Sequence, residues 1–242
     1  MKIGLIGYGK MGKAIEEIAL KSGHQIDFKI SNPDFTSDDL KHLDVAIEFT
    51  SPEAAVQNIY KCFDANIPVV VGTTGWYEHF KEISNFAEAE NRSLFYATNF
   101  SVGVNLFFQL NRQLAKLMNN YPEYNPEMFE AHHIQKKDAP SGTAITLAED
   151  ILKSLDRKNK WVHREAGNIT PDNPFDLNIE SLREGEIPGT HTITYRGEVD
   201  EIVITHQAFN RSGFARGAVK AAEWIVGKKG VYTMSDMMGF NN

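Results

Sequence analysis

The stretch from Lys2 to Gly12 constrains the fold more than any other. Residues 2 to 6, K-I-G-L-I, are a short apolar run of the kind a buried parallel strand shows, and G-Y-G-K-M-G follows at once. Gly7, Gly9 and Gly12 thus stand in G-x-G-x-x-G spacing. Met11, Ala14, Ile15, Ile18 and Ala19 then recur at helical spacing, and Gly23 is a suitable stop. In such a strand, turn and helix, Gly7 permits the tight turn, Gly9 lets a pyrophosphate approach the backbone, and Gly12 lets helix and strand pack closely. The helix N-terminus then faces the phosphates. With a strand before the glycines and a helix after them, dinucleotide binding outweighs a plain glycine-rich turn.

The alternation continues. Gln25 to Ile30 is a second strand, and Leu43 to Thr50, L-D-V-A-I-E-F-T, a third. Ser51-Pro52-Glu53 is a strong helix start, with a cap, a proline at the first position and an acid near the positive end, and Val56, Ile59, Tyr60 and Phe63 form the apolar stripe behind it. Ile67 to Val71 is a fourth strand ending in G-T-T-G, a helical segment runs from about Tyr77 to Glu90, and Leu94 to Ala97 is a fifth strand before T-N-F-S-V-G. This is the pattern of a Rossmann-like, doubly wound parallel sheet, whose ligands sit at the carboxyl ends of the strands. An NAD-selective site places an acid at the end of the second strand. Here the chain reads S-N-P-D from Ser31, so NADPH is as acceptable as NADH, and Lys10 and Lys29 are candidate partners for a 2′-phosphate.

After Asn99 the character changes to an α+β pattern. Gly103 to Met118 is an amphipathic helix with Val104, Phe107, Phe108, Leu114 and Leu117 as candidate core residues, and Asn119-Asn120-Tyr121-Pro122 breaks it. Residues 126 to 135 read as extended. Ser141 opens a helix through about Leu155, with Ala148, Ile151, Leu152 and Leu155 on one face. The polar segment from Asp156 to Pro188 is expected to be a long loop with at most a short strand around Leu182. His191 to Tyr195 and Ile202 to His206 alternate about Arg196-Gly197-Glu198 as a hairpin would, and Phe214 to Val226 is a final helix.

Charge and composition exclude some classes. A net charge of -7 argues against a general nucleic-acid binder, which needs clustered surplus Lys and Arg. The single cysteine, Cys62, lies in an apolar helical stripe and reads as a buried reduced thiol, which fits a cytoplasmic protein. The N-terminal apolar run is shorter than a signal-peptide core, and no segment reaches the ~20 apolar residues of a membrane helix.

The chemistry concentrates between Glu130 and Ala144, E-A-H-H-I-Q-K-K-D-A-P-S-G-T-A. A histidine is suited to donate a proton near neutral pH, and a lysine a few residues on can hold a carboxylate or stabilise developing negative charge. The Ser141-Gly142-Thr143 turn adds N–H groups at a helix start, a ready anion site. Together they describe a pocket for a small carboxylate that is protonated during reaction. If the strand runs through His132 and His133, the two side chains point to opposite sides, and spacing alone does not choose between them. No Cys/His/Asp cluster of ligand spacing surrounds the pair, and the adjacent lysines would repel a cation, so no metal is expected.

The chain resembles the 4-hydroxy-tetrahydrodipicolinate reductase (dihydrodipicolinate reductase) family of the diaminopimelate route to lysine. The resemblance rests on G-Y-G-K-M-G, E-F-T-S-P-E, V-G-T-T-G, A-T-N-F-S-V-G-V-N, the E-A-H-H-x-x-K-x-D-A-P-S-G-T-A signature, G-T-H-T-I near Gly189, and I-T-H-Q-A-F-N-R-S-G-F-A-R-G-A. It implies that a nicotinamide hydride reduces a cyclic dicarboxylate, with His132 the proton donor and Lys136 the second catalytic residue. By the same resemblance His133, Gly142 and Thr143 contact substrate, while Gly7, Tyr8, Gly9, Lys10, Met11, Gly12, Gly72, Thr73, Thr74, Ala97, Thr98, Asn99 and Phe100 contact NADPH or NADH. It also implies a homotetramer built through the second domain's sheet, and a C-terminal helix that returns to the nucleotide domain. The expected division is therefore residues 1–100 with 212–242 for the dinucleotide, and 101–211 for substrate and oligomerisation. The glycine loop is one residue shorter than the common G-A-x-G-R-M-G, Lys10 stands where arginine is usual, and the region between the second and third strands is abbreviated. Two competing readings are a nucleotide-dependent sensor on the same fold without turnover, and a dehydrogenase acting on a semialdehyde or hydroxy acid.

Overall fold

The computed structural model describes residues 1–32, 34–167, 173–210 and 212–240. In chain order the first half comprises β1 (Lys2–Ile6), α1 (Lys10–Lys21), β2 (Gln25–Ile30), β3 (Val45–Glu48), α2 (Pro52–Asp64), β4 (Val69–Val71), α3 (Phe80–Ala89) and β5 (Ser93–Tyr96). There follow α4 (Val102–Met118), β6 (Asn125–His132), α5 (Gly142–Leu152), β7 (Lys160–Glu165), β8 (Asp176–Arg183), β9 (Thr190–Arg196), β10 (Glu201–Gln207), α6 (Ser212–Ile225), β11 (Gly230–Tyr232) and α7 (Met234–Met238). The chain divides into two compact units, Met1–Asn105 with Ser212–Asn242, and Leu106–Arg211.

The first unit is built on a six-stranded sheet of order β11-β5-β4-β3-β1-β2, every pair parallel. β3 and β4 are buried along their whole lengths, as strands covered on both faces must be. One apolar cluster gathers Ala55, Ile59, Cys62 and Phe63 of α2 with Ile83 and Ala87 of α3; burial pushes the Cys62 thiol pKa well up, so it stays protonated. The other gathers Ile15 and Ala19 of α1 with Ala215, Ala218, Val219, Ala222 and Ile225 of α6. The chain's last strand, β11, pairs with β5, so the C-terminal segment completes the edge of the N-terminal sheet. The strand and helix order matches the α/β reading of the sequence.

The second unit is a five-stranded sheet of order β10-β9-β6-β8-β7 with β6 at its centre. β6 and β9, and β9 and β10, pair antiparallel, whereas β8 pairs parallel to β6 and β7 parallel to β8. α5 buries Ala144, Leu147, Ala148 and Ile151. In α4, Phe107 and Phe108 are buried as expected, but Leu117 is 62% exposed, because it lies on the helix face opposite Asn111, Ala115 and Met118, which are buried.

The segment from Asp156 to Pro188 is not the loop its composition suggests. It holds two strands, β7 and β8. In β8, Leu177, Ile179 and Ser181 are buried and alternate with polar residues, and β7 is an edge strand with no buried residue, so neither shows a plain apolar run. The base of this segment is held by Lys158, whose Nζ donates to Asn125 Oδ1 at 2.8 Å and to the carbonyls of Pro174 and Asp176 at 2.9 Å each. Residues 168–172 of the expected loop lie outside the described residues. Among the described residues no helix is long and apolar enough to cross a membrane.

Candidate active site

In the first unit the glycines behave as their spacing requires. Gly7 has φ +95, and a Cβ there would lie 1.9 Å from the Phe49 carbonyl oxygen. A Cβ on Gly12 would lie 2.4 Å from the Gly7 carbonyl oxygen, so α1 can begin this close under the loop only without a side chain. Gly9, the N-cap of α1, has open space where its Cβ would be. The first turn of α1 carries no acidic residue and no side-chain cap, so its N–H groups are available to an anion.

Two cavities meet at this loop. One, of about 380 Å³, is lined by Gly9, Lys10, Met11, Phe49, Thr50, Pro52, Gly72, Thr73 and Thr74. The other, of about 540 Å³, is lined by Ile6, Gly7, Tyr8, Gly9, Ser31, Asn32, Phe49, Thr50, Ser51, Ala54 and Asn58. Both open at the carboxyl ends of parallel strands, the place where a doubly wound sheet takes its ligand. Gly72 is forced by the Phe49 ring, which a Cβ would meet at 2.0 Å, and Thr73 Oγ1 accepts from Thr50 N–H at 2.7 Å. These bare glycine backbones, an uncapped helix start and a cleft along the strand ends fit a dinucleotide.

Ala97, Thr98, Asn99 and Phe100 line neither cavity. They follow β5, with Phe100 buried and its ring 5.8 Å from that of Phe49. Asn99 shapes this turn by accepting from Ser101 N–H at 2.9 Å. Of the two candidate 2′-phosphate lysines, Lys10 is exposed and lines the smaller cavity. Lys29 is paired with Glu16 at 2.9 Å and lies over the Tyr8 ring, and Glu16 also accepts from Tyr8 Oη. The lining residues Ser31, Asn32, Phe49, Thr50 and Asn58 were not among the sequence-derived contacts; their place just after β2 and β3, or within the first two turns of α2, was the available signal.

In the second unit the chemistry gathers at the end of β6. His132 is its last residue, 7% exposed, and His133 lies just beyond, half-buried, with its N–H donated to the Ile187 carbonyl at 2.8 Å. His132 is turned toward a buried polar cluster. Its Nδ1 lies 3.5 Å from Glu130 Oε2, and its ring is 5.1 Å, edge to face, from that of His191. Glu130 is fully buried, and Oε1 accepts from Arg183 Nη2 at 2.9 Å, Ser181 Oγ at 2.9 Å and Ser141 N–H at 3.1 Å.

Burial raises the Glu130 pKa, but hydrogen bonds from His191, Ser141, Arg183 and Ser181 outweigh it and hold the carboxyl well below the usual range. Burial is also the largest influence on His132 and pushes its pKa down to about 4; Glu130 opposes this, while His191, Lys136 and Arg183 reinforce it. Lys136 follows in the loop after β6, its Nζ 2.7 and 2.8 Å from the two Asp138 oxygens. Arg183 also donates to the Asp138 carbonyl at 2.7 Å, tying that loop to β8.

Ser141 caps α5. Its Oγ accepts from Ala144 N–H at 3.2 Å and lies 3.1 Å from His191 Nε2. Gly142 is exposed with open space at its Cβ position, Thr143 is half-buried, and no acid occupies the first turn, so this helix start is open to an anion. Spacing along the chain gives no ligand cluster around the histidines, but the fold brings Glu130, His132 and His191 together, with atoms within 4.8 Å of one another. His191 comes from β9, far along the chain, and so was invisible to local spacing. The Arg183 guanidinium already compensates this carboxylate, and its positive charge disfavours a metal ion beside it.

Two family models match the chain: "Dihydrodipicolinate reductase, N-terminus" over residues 1–100 and "Dihydrodipicolinate reductase, C-terminus" over residues 103–238. A 4-hydroxy-tetrahydrodipicolinate reductase of Christiangramia forsetii is 45% identical over 240 residues, covering 98% of each chain. The enzyme of the same name from Neisseria meningitidis serogroup B is 37% identical over 231 residues, covering 94% of this chain and 85% of that one. Among solved structures, a dipicolinate-bound dihydrodipicolinate reductase from Paenisporosarcina sp. TG-14 shares the fold at TM-score 0.76 and 22% identity, covering 98% of this chain and 99% of the other. With family models matched over both units and a relative 45% identical across nearly the whole chain, this chain belongs to the dihydrodipicolinate reductase family.

Proposed function

We propose that His132 and Lys136 carry the chemistry of this chain, an NAD(P)H-dependent 4-hydroxy-tetrahydrodipicolinate reductase of lysine biosynthesis. The observation that carries the assignment of roles is the buried His132, turned toward Glu130 on the strand that leads into the open N-terminus of α5. The nicotinamide supplies a hydride when bound. His132 supplies the proton, and Lys136 and His133 hold the charge of the cyclic dicarboxylate. The N–H groups of Gly142 and Thr143 take one carboxylate, as an open helix start does for anions.

The first unit holds NADPH or NADH. Gly7, Tyr8, Gly9, Lys10, Met11 and Gly12 cradle the pyrophosphate, and Gly72, Thr73, Thr74, Ala97, Thr98, Asn99 and Phe100 shape the nicotinamide half. Lys10, exposed and lining the cleft, is the better 2′-phosphate partner, since Lys29 is committed to Glu16.

The assembly we propose is a homotetramer formed through the second unit's sheet. Its edge strand β10 exposes Ile202 and Val203, and Val199 and Phe209 nearby are 91% and 85% exposed. A cytoplasmic site of action agrees with a buried, protonated Cys62.

The test is a coupled assay in which the unstable cyclic substrate is generated in place and NADPH and NADH oxidation are followed in parallel. Oxidation that depends on the substrate is expected with at least one cofactor. Tight dinucleotide binding without oxidation would instead support the sensor reading, which the intact His132, Lys136 and Ser141-Gly142-Thr143 constellation does not favour.

A further inference from the structure

Glu130 has no solvent exposure, yet it stays ionised within the second unit. A buried carboxylate is tolerated only where its acceptor positions are filled. Arg183 and Ser181 fill those of Oε1, and the Ser141 N–H is shared between Oε1 at 3.1 Å and Oε2 at 3.2 Å. Oε2 faces two imidazoles, His132 Nδ1 at 3.5 Å and His191 Nε2 at 3.6 Å. His132 Nδ1 makes no hydrogen bond among the described residues, so Oε2 is the acceptor toward which a proton on that nitrogen is drawn. The opposite nitrogen, Nε2, faces Gly189, where a Cβ would lie 3.1 Å from it. Gly189 has φ +153, and the lack of a side chain leaves Nε2 uncovered.

Resting on the reading of His132 as proton donor, we propose that Glu130 is a positioning residue of the reduction. Through Oε2 it keeps one proton of His132 on Nδ1 and leaves Nε2 to deliver the other; through the Ser141 N–H it fixes the turn at which α5 receives the substrate carboxylate. In the transfer, the Nε2–H bond of the imidazolium breaks and the proton bonds to the substrate. The electron pair stays on Nε2, and the neutral ring keeps its Nδ1–H toward Glu130. One buried carboxylate thus sets both the direction of the acid and the position of the anion site, in the manner of an orienting group behind a catalytic histidine.

The groups facing His132 give the sign of its pH response. Glu130 favours its protonation, whereas burial, His191, Lys136 and Arg183 disfavour it. Replacing Glu130 by Gln removes the favouring charge, so the pH limb that reports His132 moves to lower pH.

The experiment compares the wild type with Glu130→Gln and Glu130→Asp, each checked for folding by circular dichroism. Glu130→Gln is expected to lower kcat on the order of 10²-fold with a much smaller change in KM, and to shift the limb downward. Glu130→Asp, which keeps the charge, is expected to return the limb toward its wild-type position. A folded Glu130→Gln enzyme with unchanged kcat and an unmoved limb overturns the proposal. Imidazole ¹⁵N spectra of the wild type, assigned against His132→Gln, test it without relying on the Glu130 variants. Neutral His132 protonated on Nδ1 supports the proposal; protonation on Nε2 overturns it. A wild type without reductase activity would count against the functional reading, while the tautomer still tests the role of Glu130.

Discussion

Gly217 of α6 lies so close to the turn after β5 that a Cβ in its place would come within 1.7 Å of the Phe100 carbonyl oxygen. Phe100 is buried against Phe95 and Phe49, so the backbone it belongs to has nowhere to retreat. Gly217→Ala is therefore expected to destabilise the first unit by about 1–3 kcal/mol, as overpacking of a filled core does. The variant should melt several degrees lower and bind NADPH more weakly, because the turn from Ala97 to Phe100 must shift. Thermal melting and a nicotinamide fluorescence titration read the two effects; unchanged values in both would show that this contact is slack.

Removing the proton donor should affect turnover more than binding. His132→Gln is expected to lower kcat on the order of 10²–10⁴-fold, the usual range for loss of a general acid, while affinity for a planar dicarboxylate changes little. Lys136→Ala is expected to raise KM as well, since it removes a cation that is paired at the surface with the exposed Asp138. Steady-state kinetics with the coupled assay separates these patterns. Full activity in both variants would sink the assignment.

Two buried groups give stability opposite dependences on pH. His132 has its pKa depressed from 6.5 to about 4, mainly by burial, so the unfolded chain binds more protons between those values. Its contribution is whole above about 6.5 and is lost as pH falls toward about 4. Glu48, at the end of β3, is raised above its ordinary 4.5, chiefly by burial, despite accepting hydrogen bonds from Thr50 and Asn58. Its contribution is whole below 4.5 and is lost as pH rises through the folded value. Glu48→Gln is therefore expected to raise Tm at pH 8 relative to wild type by more than at pH 5. His132→Gln should flatten the loss of stability between about 6.5 and about 4. Melting curves across pH check both signs.

Lys158 is expected to matter for stability although it lies far from the site in sequence. Its buried ammonium serves Asn125 and the carbonyls of Pro174 and Asp176. Lys158→Met leaves those acceptors without their donor, and unsatisfied buried groups cost about 1–3 kcal/mol. Hydrogen exchange should accelerate in β7 and β8 before it does in β9 and β10. Uniform exchange across the sheet would refute this local role.

What could be read along the chain was whatever depends on near neighbours. The run from Lys2 to Gly12 declares a strand, a tight turn and a helix because Gly12 answers to the Gly7 carbonyl five residues before it, even though Gly7 itself answers to Phe49 at the end of β3. Ser141 announces a helix start for the same reason, and Ser141 Oγ does cap Ala144 N–H. β7 and β8 were hidden because an edge strand has little to bury, and because β8 buries a serine, Ser181, whose hydroxyl donates to Glu130.

The site itself was legible only as residue types. That a proton donor, a cation and an anion-binding turn share one stretch follows from the order of residues between Glu130 and Ala144. That His132 meets Glu130 and His191 depends on the pairing of β6 with β8 and β9. The carboxylate that holds His132 owes its charge to Ser181 and Arg183, 51 and 53 positions away, and to His191 on another strand. Such convergence carries no periodicity or local spacing. It exists only once the sheet has formed and desolvation has made each of those partners necessary to the others.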